Sequence, residues 1–184
     1  LAFRKHTDAT VFTFGFDEGA SLTAGNVAVY EERGRPTGMT FKVRHRGNTV
    51  PVVLHGVLGI QPIYAVLAAL SAGTAAGINI VEMTGSLQAF MPPPGRMRIL
   101  DGIKETTIID DSYNSSPVAL ERALETLEGL EVQGRRIAVV GDMMELGRYS
   151  TDAHREAGIQ AARVCDILIT VGVRSQTVAP TAIA

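Results

Sequence analysis

The stretch TTIIDDSYNSSPVALERALETLEGL, residues 106–130, decides the fold. Residues 106–111 place β-branched side chains before two aspartates, which suits a buried strand running out at a polar tip. Ser116 is placed to cap a helix, Pro117 suits its first helical position, and an amphipathic run continues to residue 130. The same grammar continues downstream, with a strand expected over 135–141, a helix over 151–164 and a strand over 166–171. Strands alternating with amphipathic helices imply an α/β fold, here a Rossmann-like parallel sheet flanked by helices and joined by right-handed crossovers.

Upstream the pattern changes at MPPPGRMR, residues 91–98. Three consecutive prolines fit neither a helix interior nor a central strand, so a domain boundary is expected there. Residues 1–91 then form one domain, 92–94 a hinge, and 95–184 a second domain. Within the first, residues 10–55 read as strands, notably TVFTFGF and GMTFKVRHRGNTVPVVLHG, with ERGRPTG and RGN as turns. Residues 62–78 read as a helix that Pro62 starts and Gly77 stops. That helix is apolar nearly all round and is expected to be buried. A second helix over about 79–90 carries Ile80, Met83, Leu87 and Phe90 at helical spacing.

Composition narrows the classes. The 184-residue chain is 46% hydrophobic and 20% charged, enough to bury a core. A net charge of −2 makes no electrostatic case for nucleic acid or an anionic membrane. Cys165 stands alone, so no intrachain disulfide forms, which suits a reducing compartment. The apolar runs are too short and interrupted to span a bilayer. The opening LAFRKHTDAT has no basic-then-apolar signal, and its start at Leu1 reads as the interior of a longer protein.

Open parallel sheets bind ligands beyond the carboxyl ends of their strands. Three such ends are visible: TTIIDD before SYNSSP, RRIAVVGD before MMELG, and DILITVG before VRSQ. Side chains alternate along a strand, so Asp110 and Asp111 cannot share a face. Asp111 at the tip is expected to meet a ligand, and Asp110 to face the packing layer or an adjacent loop. A plainer reading stands beside this one: Asp, Asn and Ser after a strand commonly make a turn or a cap. Asp142 can be a polar edge residue, and His154 an exposed residue in a helix's first turn.

Taken together, DDSYNSSP (110–117), GDMMELG (141–147) and His154 with Gly158 resemble the Mur ligases. Within that family they are most similar to the members that join D-alanyl-D-alanine to a UDP-linked muramoyl tripeptide. PPPGRMR resembles the family's junction between central and C-terminal domains, and TFGF (13–16) and GIQPIYAVLAAL (59–70) resemble the end of the central ATPase domain. The chain departs from the family at Gln61, Pro62 and Ala65, where His, Asn and Asn help hold nucleotide, and at Ser116. It carries no G-x-x-x-x-G-K-[ST] loop, since Lys5, Lys42 and Lys104 follow no such glycine frame. No residue matches the modified lysine that coordinates a second metal in many members.

The resemblance implies an ATP-dependent amide ligase acting through an acyl phosphate in peptidoglycan precursor synthesis, cytoplasmic and monomeric. ATP and Mg2+ are then bound mainly by parts outside this chain, which alone is expected to be inactive. It carries Arg96, Asp111, Tyr113 and Asn114 to the nucleotide side, with Asp111 at the ribose. It carries Asp142, Glu145 and His154 to the side of the incoming dipeptide. No catalytic or metal-ligating residue is expected. A non-catalytic Rossmann-like binding module and a related amide ligase, of folylpolyglutamate or cyanophycin type, remain the rival readings.

Overall fold

Two tight turns organise the first half of the chain. In the computed structural model, which describes residues 5–183, Arg33–Gly34 and Arg46–Gly47 all adopt positive φ, at 53°, 72°, 47° and 79°. This is the geometry of two-residue turns whose twist matches antiparallel strands. They join β2 (Leu22–Glu32), β3 (Arg35–His45) and β4 (Asn48–His55) into a meander, and β1 (Phe14–Gly15) adds to β2 in parallel. The strand expected over TVFTFGF is thus two residues long. Thr13 is instead tied to Ser21 through side-chain hydroxyls, with the Ser21 amide donating to Thr13 Oγ1 at 2.9 Å. The turn expected across ERGRPTG is only Arg33–Gly34, and Pro36 stands inside β3 beside a register shift at Tyr30/Glu31. Pro51 lies on β4, an edge strand where a missing N–H costs little.

Alternate residues Met39, Phe41 and Val43 turn inward and meet Val52 and Leu54 across the ladder. Helix α1 (Gln61–Ala75) contributes Ile63, Val66, Leu67 and Leu70 to the buried set. Fully burying such side chains stabilises by roughly 1.5–3 kcal/mol each. The expectation of an all-round buried helix is corrected here, because Tyr64 on α1 is 43% exposed and Ala65 is exposed. A one-sided sheet needs only one stripe of a helix. At the end of α1, Gly77 takes φ +83°; its amide donates to the Thr74 carbonyl and the Ile78 amide to the Gly73 carbonyl. Those two bonds close the helix as a Schellman motif. The second helix is shorter than 79–90. Asn79 caps α2 (Ile80–Ser86) at the Val81 amide, and a 3-10 turn over Leu87–Ala89 follows.

The chain divides into two compact units, Leu1–Met91 and Pro92–Ala184. The second begins with an antiparallel pair, β5 (Arg98–Asp101) with β6 (Thr107–Asp110). Then come α3 (Pro117–Glu128), β7 (Ile137–Gly141), α4 (Ser150–Val164), β8 (Ile167–Val171) and α5 (Val178–Ile183). The α/β alternation stands, and β7 and β8 form a parallel ladder from Ile137↔Ile167 to Gly141↔Val171. β6 differs from expectation in its partner, taking its ladder from β5, a strand the periodicity did not mark.

Leu124 of α3, Ala161 of α4, and Ala138 and Val140 of β7 make the core of this unit, with Leu120, Val164 and Leu168 against it. The cap expected at Ser116 is present, its hydroxyl accepting from the Ala119 amide at 3.3 Å. The other end of α3 is closed by Arg136, whose guanidinium donates to the carbonyls of Leu127, Glu128 and Leu130. A cation there satisfies orphan carbonyls and complements the helix dipole.

Candidate functional site

Two clusters form at strand ends of the second unit. The first is where β6 runs out. Asp110 Oδ2 accepts from the Gly95 amide at 3.0 Å, and Asp110 Oδ1 accepts from Ser112 through its amide (3.2 Å) and hydroxyl (2.6 Å). Asp111 Oδ1 accepts from the Met97 amide at 3.1 Å. The Tyr113 amide closes the set by donating to the Gly95 carbonyl at 3.2 Å. The paired carboxylates therefore fasten the GRM segment (95–97) to the tip of the strand. Between the two fastened amides stands Arg96, its guanidinium 4.2 Å from the centre of the Tyr113 ring.

The segment is shaped for this. Gly95 is buried at φ +69°, and a β-carbon there would lie 2.7 Å from the Tyr113 nitrogen. Met97 also sits at positive φ, 53°, with its side chain 2% exposed. The two carboxyls differ in their titration. The Ser112 hydroxyl, foremost, holds Asp110 below the ordinary aspartate range. Partial burial pushes Asp111 up, against the Met97 amide and the charge of Arg96. Asp110 is spent on backbone at both oxygens, whereas Asp111 Oδ2 accepts no hydrogen bond among the described residues. Arg96, Tyr113 and Asn114 are exposed.

The second cluster joins the ends of β7 and β8. Asp142 Oδ1 accepts from the Ser175 amide at 2.8 Å, and this bond, foremost, lowers its pKa. Gly172, at φ +121°, passes so close that a β-carbon would lie 2.3 Å from Asp142 Oδ1. Met143 is buried, and its amide donates to His154 Nε2 at 3.1 Å. Because Nε2 accepts, His154 carries its proton on Nδ1 and donates it to the Ser150 carbonyl at 2.7 Å.

The reading of His154 as an exposed first-turn residue is therefore corrected. It is 0% exposed, and both ring nitrogens are spent on backbone. Glu145 is exposed at φ 62°, a strained conformation for its side chain, next to an exposed Met144 that the Arg174 guanidinium touches.

So Arg96, Asp111 and Tyr113 are brought together, with Asn114 the exposed residue next along the chain; His154 of α4 braces the loop after β7 that carries Asp142, and Glu145 stands exposed on that same loop. Gly95, Met97, Ser112 and Ser175 escaped the sequence reading, although a glycine directly before an arginine and after a proline run is a signal for positive φ. Among the described residues no three His, Cys, Asp or Glu side chains gather to hold a metal ion. Nor is any described helix long and apolar enough to cross a membrane.

Both clusters lie within the stretch that matches a known family. Residues 95–184 match the Mur ligase, glutamate ligase domain. The UDP-N-acetylmuramoyl-tripeptide–D-alanyl-D-alanine ligase of Bacillus subtilis is 31% identical over 102 residues, covering 55% of this chain and 22% of that protein. The enzyme of the same name from Mycobacterium bovis is 30% identical over 182 residues, covering 93% of this chain. The crystal structure of MurF ligase from Thermotoga maritima in complex with ADP superposes with a TM-score of 0.73 at 25% identity, over 90% of this chain and 36% of that one. The chain thus spans about a third or less of the length of the relatives it matches. Through residues 95–184, the chain belongs to the Mur ligase family.

Proposed function

We propose that the chain works as part of an ATP-dependent ligase that joins D-alanyl-D-alanine to a UDP-N-acetylmuramoyl tripeptide. In this reading residues 1–91 are the end of the central ATP-binding domain, 92–94 the hinge, and 95–184 the C-terminal domain. The observation that carries it is the tip of β6, where a fastened Arg96 and a carboxylate with one free oxygen stand together in a domain that matches the family.

The chemistry suits a nucleotide. Asp111 Oδ2 is a charge-assisted acceptor for ribose hydroxyls. Arg96 is a planar cation for phosphate or the developing acyl phosphate, with Tyr113 beneath it and Asn114 beside it. ATP supplies the phosphoryl group that activates the tripeptide's terminal carboxylate. The residues of this chain bind and orient, and Mg2+ is held mainly by parts outside it. The loop of Asp142 and Glu145, with His154 of α4 behind it, forms the dipeptide side, where Glu145 and its exposed neighbours make contact and the other two hold the loop in place.

The test is phosphate release by the complete enzyme with ATP, UDP-N-acetylmuramoyl tripeptide and D-alanyl-D-alanine together. Release that requires both substrates is expected, and none is expected from the 184-residue chain alone. Release with another amino acid in place of the dipeptide would move the protein to a different amide ligase. No release with any acceptor would make it a binding module.

A further inference from the structure

The site reading assigns Arg96 and Asp111 to the nucleotide and leaves Asp110 without a role. We infer that Asp110 is a positioning residue, which sets the direction of the Arg96 guanidinium by tying together the two chain segments that flank it. This rests on the reading of Arg96 as a nucleotide contact.

The geometry is a closed ring of bonds. Asp110 Oδ2 holds the amide of Gly95, the residue before Arg96. Asp110 Oδ1 holds Ser112 by amide and hydroxyl, the residue before Tyr113. The Tyr113 amide then donates to the Gly95 carbonyl, so one carboxylate fixes both halves of the Arg96–Tyr113 pair. Asp111 fixes only the far side, at Met97. Met97, on one side of Arg96, is held at positive φ, a conformation that a free non-glycine residue leaves readily, and Gly95 on the other side is free to move between positive and negative φ unless it is held. An exposed arginine has many rotamers, and holding its backbone and its stacking partner from one anchor reduces them.

The experiment reads Arg96 directly by NMR in the 184-residue chain. Its side-chain Hδ protons carry an upfield ring-current shift from Tyr113, which a Tyr113→Leu control calibrates. Asp110→Ala is expected to abolish that shift and to speed Gly95 amide exchange at least about tenfold, while Asp110→Asn, which keeps one acceptor oxygen, retains part of both. A folded Asp110→Ala chain with the Arg96 shift intact overturns the inference. If Asp110→Ala does not fold, Ser112→Ala removes only the hydroxyl partner; a partial loss of the shift supports the inference and an unchanged shift overturns it.

In the complete ligase, Asp110→Asn is expected to raise KM for ATP about tenfold with kcat within about twofold, beside a modest fall in Tm. A lowered Tm with KM unchanged reduces Asp110 to a structural residue and overturns the inference. The nucleotide reading is tested separately by Arg96→Ala. An unchanged KM for ATP there overturns that reading, and the NMR result still decides what Asp110 does.

Discussion

The tip of β6 and the tip of β7 begin with the same grammar, an apolar strand ending in aspartate before a polar loop, yet they end differently. At β6 the carboxylates hold backbone, and the groups they hold remain open: Arg96, Tyr113 and Asn114 are exposed. At β7 it is the histidine that is consumed, both ring nitrogens going to backbone. Asp142 holds the loop after β8, and His154 is 0% exposed between Met143 and Ser150. Burial sets His154 apart. A polar side chain closed off from water must be satisfied by backbone and then has nothing left to offer a ligand. The first tip is a platform, and the second is a lock with Glu145 left outside it.

The sharpest way to break this comparison is at the lock. His154→Ala leaves a cavity and an orphaned Met143 amide, and is expected to cost about 3 kcal/mol in urea unfolding. If His154→Gln instead weakens D-alanyl-D-alanine use with unfolding unchanged, His154 faces the ligand and the contrast fails.

At the platform, the outcome is expected to reverse. In the complete ligase, Asp111→Ala should weaken ATP use about ten- to a hundredfold, the equivalent of roughly 1.5–3 kcal/mol, with little change in melting temperature. Kinetics set against melting curves decides it. A variant that melts early and uses ATP normally would make Asp111 a turn residue.

Gly158 sharpens the lock further. A β-carbon there would meet the Thr181 hydroxyl oxygen and the Val178 carbonyl, because α4 and α5 pack closely at this point. Gly158→Ala is therefore expected to destabilise by about 2 kcal/mol despite its gain in helix propensity. A variant as stable as the parent would show that the helices are free to part.

The smallest effect separates the two aspartates by pH. Asp110 has its pKa lowered from 3.8, so its contribution to stability is present above 3.8 and lost as pH falls through its lower folded value. The groups bearing on it are Ser112, the Gly95 amide and the Arg98 cation. Asp111 has its pKa raised, so folding favours its protonated form, and that contribution fades as pH rises through the folded value. The Gly95 amide resonance is expected to titrate below 3.8 and the Met97 resonance above it. A single common midpoint would mean that the two carboxyls are not distinguished by their surroundings.

Local chemistry made much of this legible. Ser116 and Pro117 announced α3, Gly77 stopped α1, and the alternation from residue 106 onward marked three strands and two helices. Each of these signals acts within a few residues, through a cap, a fixed φ or a side-chain period. The family words DDSYNSSP and GDMMELG likewise stand in the sequence itself.

Tertiary structure decided what those words do. β5 was invisible because a four-residue strand carries too little pattern, and only its partner β6 defines it. The second stripe of α1 is exposed because exposure depends on what packs against the helix, which composition does not state. His154 changed from an exposed residue to a buried lock because Met143, eleven positions away, folds back over it. Asp110 and Asp111 divided their labour because Gly95 and Met97 approach from about fifteen residues upstream. Hydrogen bonds between distant segments form only once the chain has closed on itself, and a linear pattern holds no record of which groups will meet.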